Sequence, residues 1–457
     1  MELFVVLIFI FGYIAITMEH KLKIDKLIPA LLMMVLAWTG IALGLDDFST
    51  FFDAHTDNLF SGFRGLLHEE KLTMLEGTLL HHFGKTAEIL VFLIGAMTIV
   101  EIIDHFNGFS TIKSFVKTNK KRTLLWIVCV LGFILSSIID NLTATIVLIT
   151  ILRKLLPENK DRIWYAGLII ISANAGGAWS PIGDVTTTML WMGNKVTAVK
   201  LMEYLVIPSL FCLIVPLFIA SFLPAFKGNF TATIDETTEN KHSKLMFYLG
   251  LSLIVFVPIF KTITHLPPYV GMMLSLAIIA LVAEILSNKK FNMSNYSEKE
   301  QEVIVANPHQ KGPTLNALTK IEFPSILFFL GILMTVAAME SLGLIFDFGN
   351  TVRSLMPNEV FIILLGVSSA VIDNVPLVAA SMGMYDATTF PTDAHIWHFI
   401  AFSAGTGGSM LIIGSAAGVV AMGMEKINFF WYLKNIAWLA LLGFLAGCIS
   451  FIFIELM

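Results

Sequence analysis

Charge is scarce in this chain: of 457 residues only 14% are Asp, Glu, Lys or Arg, while 56% are hydrophobic. Soluble domains carry about 25% charged residues, so a chain of this composition lacks the polar surface to cover itself in water. A basic excess is missing too. The net charge of −5 is small and dispersed, and gives no footing for a nucleic-acid partner. Cysteine is limited to Cys129, Cys212 and Cys448, each alone in an apolar run. Without disulfide or metal spacing, their expected role is packing inside lipid-buried helices. The first apolar run, residues 3–17, has no basic n-region and no small-residue cleavage site, so a retained helix is expected there.

What the sequence has instead is a series of apolar stretches of roughly 17–25 residues, each enough to cross ~30 Å of hydrocarbon. The fold class is an all-α polytopic membrane protein, with lipid as its surroundings. Lys and Arg near span ends mark the cytoplasmic side and orient the chain. A helix over 2–18 ends at His20, Lys21, Lys23 and Lys26, a basic turn placed inside, and a helix over 27–45 runs outward. An acidic segment follows at 46–87, with an interfacial helix expected at 71–82. A helix over 88–105 returns to Lys113, Lys117, Lys120, Lys121 and Arg122, the strongest basic cluster in the sequence.

The next apolar stretch, 124–152, has basic residues on both flanks. One straight helix of that length would be roughly 43 Å long and would leave Arg153 on the outer side. A re-entrant hairpin over 124–155, turning at 136–141, reconciles the two flanks. Polar non-helical backbone at that depth is tolerated where protein or a wet cavity surrounds it. The segment 163–193 is broken as well: Gly176, Gly177 and Pro181 interrupt it and free backbone groups. A short amphipathic arm at 196–205 and a helix at 206–226 are expected to bring the chain back.

The second half repeats this plan. Ser137-Ile138-Ile139-Asp140-Asn141 returns as Ser369-Ala370-Val371-Ile372-Asp373-Asn374, and Ser172-Ala173-Asn174-Ala175-Gly176-Gly177 as Ser403-Ala404-Gly405-Thr406-Gly407-Gly408. Ile182-Gly183 falls on Ile413-Gly414 and Met97-Thr98 on Met334-Thr335. These matches share nearly one offset, half the chain, which is the mark of a duplication. The flanking charges reverse. The loop 288–323 is basic, whereas the hairpin 358–385 is flanked by Glu359, Asp386 and Asp393, and the broken helix 396–424 ends at Glu425-Lys426. The expected organisation is therefore a first repeat over 1–226, a cytoplasmic linker at 227–244, and an inverted second repeat over 245–457. It gives ten spans, two hairpins and both termini outside.

Such an arrangement gathers Asp140, Asn141, Thr143, Ser172, Asn174, Asp373, Asn374, Ser403 and Thr406 near the midplane. Ionisable groups are costly in hydrocarbon and mark ion or proton paths. Asp and Asn oxygens with freed carbonyls suit a hard cation such as Na+ at Asp140, Asn141, Asp373 and Asn374. A carboxylate also takes a proton, and burial favours that protonated form, so cation and proton can compete for one group. Each residue also has a structural role open to it. An Asp-Asn pair can cap a half-helix; Ser172 and Ser403 can bond back to their own helices; Gly176, Gly177, Gly407 and Gly408 serve close packing. Asp184 has Ser415 in its matching place, and that asymmetry makes it a candidate proton or second-cation site. Glu101, Asp104 and Glu340 near helix ends fit an interface, and His81-His82 a surface loop.

At these residues the chain resembles NhaD-type sodium/proton antiporters of the ion transporter superfamily. The resemblance is carried by Asp140-Asn141-Leu142-Thr143-Ala144-Thr145, by the run from Asn174-Ala175-Gly176-Gly177 through Pro181-Ile182-Gly183-Asp184 to Thr188, and by Asp373-Asn374-Val375-Pro376-Leu377-Val378-Ala379-Ala380. It implies a scaffold and a mobile transport domain, a homodimer, and exchange of Na+ or Li+ for H+ across the inner membrane without a cofactor. Arsenite permeases share the short Asp-Asn pairs, so an arsenite or other small-ion permease is the alternative. Anion-carrying relatives tend to have Ser-Asn-Thr at the tips, whereas Asp here disfavours a carboxylate substrate. An enzyme is not expected: Gly183-Asp184 superficially resembles the Gly-x-Gly-Asp motif of intramembrane proteases, but Pro181 stands where its first glycine belongs.

Overall fold

The computed structural model describes residues 1–18, 23–53, 58–113, 118–156, 158–230, 241–287, 312–385 and 389–456. His20, Lys21, Lys117, Lys289, Lys290, Lys299, Lys311, Asp386 and the middle of the 227–244 linker lie outside them. The protein is mostly helical. Among the described residues seven helices are long and apolar enough to cross a bilayer, and the chain is a multi-pass membrane protein.

The helices that matter for function are α1 (Glu2–Thr17), α2 (Leu27–Leu43), α3 (His68–His105), α4 (Lys121–Ile139), α5 (Asn141–Leu155), α6 (Asn159–Gly177), α7 (Val185–Met192) and α8 (Ala198–Ala220). They continue with α9 (Ser243–Thr264), α10 (Pro268–Ser287), α11 (Phe323–Ser341), α12 (Leu344–Leu355), α13 (Asn358–Ser368) and α14 (Asn374–Met384). The last are α15 (His395–Gly407), α16 (Ala416–Glu425), α17 (Phe429–Asn435) and α18 (Ala437–Leu456). A two-stranded antiparallel ribbon joins β1 (Phe51–Asp53) to β2 (Asn58–Phe60).

The chain forms two compact units. The larger comprises Met1–Leu90, Thr118–Ile234 and Phe323–Met457, and the smaller Val91–Lys117 and Asp235–Glu322. In the smaller unit α9 and α10 pack on each other and on the end of α3. Gly95 lies against Met272 and Met273, and Gly250 against Ile103 and Ile279. Ser243 Oγ donates to the Phe106 carbonyl at 2.8 Å.

Three expectations from the sequence change. The separate interfacial and spanning helices at 71–82 and 88–105 are one helix, α3, of 38 residues and about 57 Å. No proline interrupts it, and Gly77 and Gly84 weaken a helix without stopping it. The arm at 196–205 and the helix at 206–226 are likewise one helix, α8, with Pro208 and Pro216 inside it. Pro216 has no N–H for the Cys212 carbonyl four residues earlier. Helix α18 closes on that point: a Cβ on Gly443 would stand 2.6 Å from the same carbonyl. Packing against α18 accompanies a helix that runs on through both prolines. The third change is α12, an amphipathic helix absent from the sequence reading. It buries Ile345, Gly349 and Val352 and bends by 117° into α13.

The interruptions at 136–141 and within 163–193 appear where expected. Helices α4 and α5 meet at Asp140 and pack on each other, although α4, at 19 residues, is longer than the expected arm. Helices α13 and α14 flank Asp373, α6 and α7 flank 178–184, and α15 and α16 flank 408–415.

Candidate ion-binding site

At Asp140 the backbone turns through φ 78°, ψ 158°, a region that side chains other than glycine seldom occupy. Its carboxylate compensates by capping α5: Oδ1 accepts from the Thr143 N–H at 2.8 Å and Oδ2 from Thr143 Oγ1 at 2.9 Å. The next residue faces inward. Asn141 Nδ2 donates to Asn174 Oδ1 at 3.0 Å and to Asp184 Oδ2 at 3.3 Å.

Asp184 opens α7, its Oδ1 accepting from the Thr186 N–H at 3.3 Å. Glycine is what allows it there. A Cβ on Gly177 would stand 2.5 Å from the Gly183 carbonyl, and one on Gly183 would stand 2.8 Å from the Ser136 carbonyl. A side chain on Gly176 would run into the backbone of Phe133. With Pro181, these residues unwind 178–184 and press it onto the tip of the α4–α5 hairpin.

The second half reproduces these contacts. Gly407 lies on the backbone of Gly366, Gly408 faces Gly414, and Gly414 faces the Ala370 carbonyl. Ser136 Oγ donates to the Ala173 carbonyl at 2.5 Å, and Ser369 Oγ to the Ala404 carbonyl at 2.8 Å. Asp373 caps α14 through the Val375 N–H at 3.3 Å. Its neighbour Asn374 donates Nδ2 to Asp184 Oδ2 at 3.1 Å. Ser415 caps α16 and accepts from Asn174 Nδ2 at 3.0 Å.

One oxygen of one carboxylate therefore receives an amide from the first residue of α5 and another from the first residue of α14. Asp184, Asn141 and Asn374 are 4%, 7% and 6% exposed, and Asn174 is fully buried. The carboxylates of Asp373 and Asp140 lie near enough for their charges to act on Asp184. Asp373 itself faces a cation, its Oδ2 lying 3.2 Å from Lys26 Nζ.

The other residues singled out from the sequence are placed less centrally. Thr143 serves Asp140. Ser172 Oγ donates to the Ile169 carbonyl at 2.9 Å, Ser403 Oγ to the Ile362 carbonyl at 2.8 Å, and Thr406 Oγ1 to the Phe402 carbonyl at 2.6 Å. Their hydroxyl protons are committed to helix backbone. The sequence reading missed Ser409, whose Oγ accepts from Asn174 Nδ2 at 2.9 Å, and Lys26. Ser409 directly follows Gly407-Gly408, so the broken helix could have signalled it. Lys26 lies at the start of an ordinary span, and nothing in the sequence connects it to Asp373.

A buried carboxylate held by two amides, at breaks in apolar helices, is the kind of site built by ion-carrying membrane transporters. A family model described as citrate transporter matches residues 13–399. "Sodium/proton antiporter 1" of Arabidopsis thaliana is 40% identical over 98% of this chain and 72% of its own length. "Na(+)/H(+) antiporter NhaD" of Vibrio parahaemolyticus is 32% identical over 78% of this chain and 87% of its own length. Among solved structures, the YdaH transporter of Alcanivorax borkumensis superposes with a TM-score of 0.58, covering 93% of this chain and 97% of that one. At 13% identity that match shows the fold alone. The chain belongs to the citrate-transporter family, with NhaD-type sodium/proton antiporters among its relatives, as the Asn174–Thr188 and Asp-Asn motifs imply.

Proposed function

We propose that this protein exchanges Na+ or Li+ for H+ across the cytoplasmic membrane, with Asp184 as the carboxylate for which cation and proton compete. The observation that carries this reading is the convergence of Asn141 and Asn374 on Asp184 Oδ2. Two amide N–H groups satisfy the carboxylate in this arrangement. An asparagine side chain presents an oxygen in place of its nitrogen after a half-turn of its amide. Both asparagines, Asn174 and freed backbone carbonyls can then complete an oxygen-only shell around Na+, the set that a hard cation prefers. In the proposal Asp140 stands beside this shell and supplies further negative charge, and Asp373 lends its Oδ2 to the entering cation. Removing the cation and restoring the proton returns the amides to the carboxylate.

The family description names citrate, but three carboxylates around the centre repel a polyanion. The transport geometry proposed is two inverted repeats, 1–226 and 245–457, with re-entrant hairpins meeting at the midplane. One helix group acts as scaffold and the other moves, within a homodimer of the inner membrane. The repeated glycine and serine contacts support the duplication, and the reversal of flanking charge supports its inversion.

Purified protein in liposomes with a trapped pH dye tests the function. Added Na+ and Li+ are expected to drive proton movement, and K+ and arsenite to leave the dye unchanged. A dye left unchanged by Na+ and Li+, together with arsenite uptake into the same liposomes, would replace the antiporter with a permease for neutral arsenite.

A further inference from the structure

Lys26 and Asp373 are 347 residues apart in sequence and meet at 3.2 Å, with side chains only 27% and 17% exposed. The ammonium also lies 4.5 Å from the centroid of the Phe328 ring, and Phe328 is 1% exposed. A ring face and a carboxylate together hold the lysine away from bulk water. Asp373 divides its two oxygens between separate tasks. Oδ1 caps α14 at the Val375 N–H, and Oδ2 faces Lys26. The adjacent residue, Asn374, reaches Asp184. A single tip is thus tied at consecutive residues to a cation on the α2 side and to the central carboxylate.

We propose that Lys26 is a tethered cation that competes with Na+ at Asp373, and so sets the affinity of the site for its substrate. This rests on the Na+/H+ reading above. Two unit positive charges cannot share the Asp373 Oδ2 position at contact distance. Sodium entering there must displace the ammonium, and the ammonium returns when sodium leaves. Because the pair is only partly exposed, salt screens it less than a fully exposed ion pair, and it opposes Na+ accordingly. Its opening also releases the tip that carries Asn374, so substrate binding at Asp373 loosens the hold of the Asn374 amide on the Asp184 carboxylate. Lys26 is a positioning residue in this scheme: it sets Asp373 and never touches the transported ion.

The test is Na+-driven proton movement in liposomes, with the apparent Na+ constant and the maximal rate read separately for Lys26→Gln, Lys26→Arg and Asp373→Asn. Lys26→Gln removes the competitor and is expected to tighten the apparent Na+ constant by up to about fivefold. Lys26→Arg keeps a cation and is expected to remain near wild type. Lys26→Cys supplies an independent arm. It is expected to tighten in the same way and to return towards wild type after aminoethylation, which restores an ammonium. An unchanged or weaker Na+ constant in both Lys26→Gln and Lys26→Cys would make the pair structural and overturn the proposal while leaving the antiporter reading intact. Wild-type protein that moves no protons on Na+ addition would overturn both.

Discussion

Replacing Asp184 with Asn is expected to abolish Na+-driven proton movement while the protein stays folded in the membrane. Asparagine preserves the shape of the side chain, and its oxygen can still accept the Asn141 and Asn374 amides that now reach Asp184 Oδ2 at 3.3 and 3.1 Å. What disappears is the charge and the capacity to take a proton. Losing one partner of a buried charge pair costs about 3–5 kcal/mol, which is a hundredfold or more in cation affinity. Asp140→Asn and Asp373→Asn are expected to impair exchange less, because those carboxylates also cap helices and stand beside the centre. Liposome exchange rates for the three variants decide the order. Wild-type exchange by Asp184→Asn would make the carboxylate structural and remove the centre of the proposed site.

The second large effect concerns stability. Glu425 ends α16 and is 1% exposed, yet three side chains from the first half of the sequence converge on it. Arg153 Nε donates at 2.7 Å, Arg162 Nε at 2.9 Å and Asn159 Nδ2 at 2.9 Å, and Arg153 also reaches the Met424 carbonyl. This cluster fastens α5 and α6 to α16, and so joins the two halves of the group that carries the site. Glu425→Ala leaves Arg162, with only 15% of its side chain exposed, facing an uncompensated site. Arg153 is 44% exposed and recovers part of its loss in water, which discounts the penalty. A net cost of about 3 kcal/mol is expected, seen as a fall of several degrees in the thermal transition in detergent. Glu425→Gln retains an acceptor and is expected to fall less. Equal transition temperatures for Glu425→Ala and wild type would show that the cluster does not hold these helices together.

Much of the backbone geometry around Asp184 was legible in the sequence because the breaks themselves are written there. Asp140, Gly176-Gly177, Pro181, Asp373 and Gly407-Gly408 interrupt otherwise apolar runs, and the structure breaks at those places. The repeat offset paired Asp184 with Ser415 and flagged the acid as the asymmetric member. Its central position was not legible, since it depends on two tips brought together from distant parts of the chain. Spacing along a sequence shows which residues leave a helix, not which of several carboxylates two asparagines will face. The same limit explains α3 and α8. Local features suggested separate elements there, but continuous helix satisfied more backbone groups, and α18 met the carbonyl freed by Pro216. Lys26 lies beyond pattern reading altogether, because a lysine at the end of a span ordinarily marks topology.

The most direct test of the central claim is the apparent Na+ binding constant of the wild-type protein measured across pH. If Na+ must displace a proton from Asp184, binding weakens as pH falls below the pKa of that carboxylate, by about 1.4 kcal/mol or tenfold per unit for one proton. Above that pKa no proton remains to be displaced, and the constant is expected to level off. Neutral arsenite would show no such slope. A Na+ constant that stays unchanged from about pH 6 to about pH 9 would contradict direct competition and require separate sites for cation and proton.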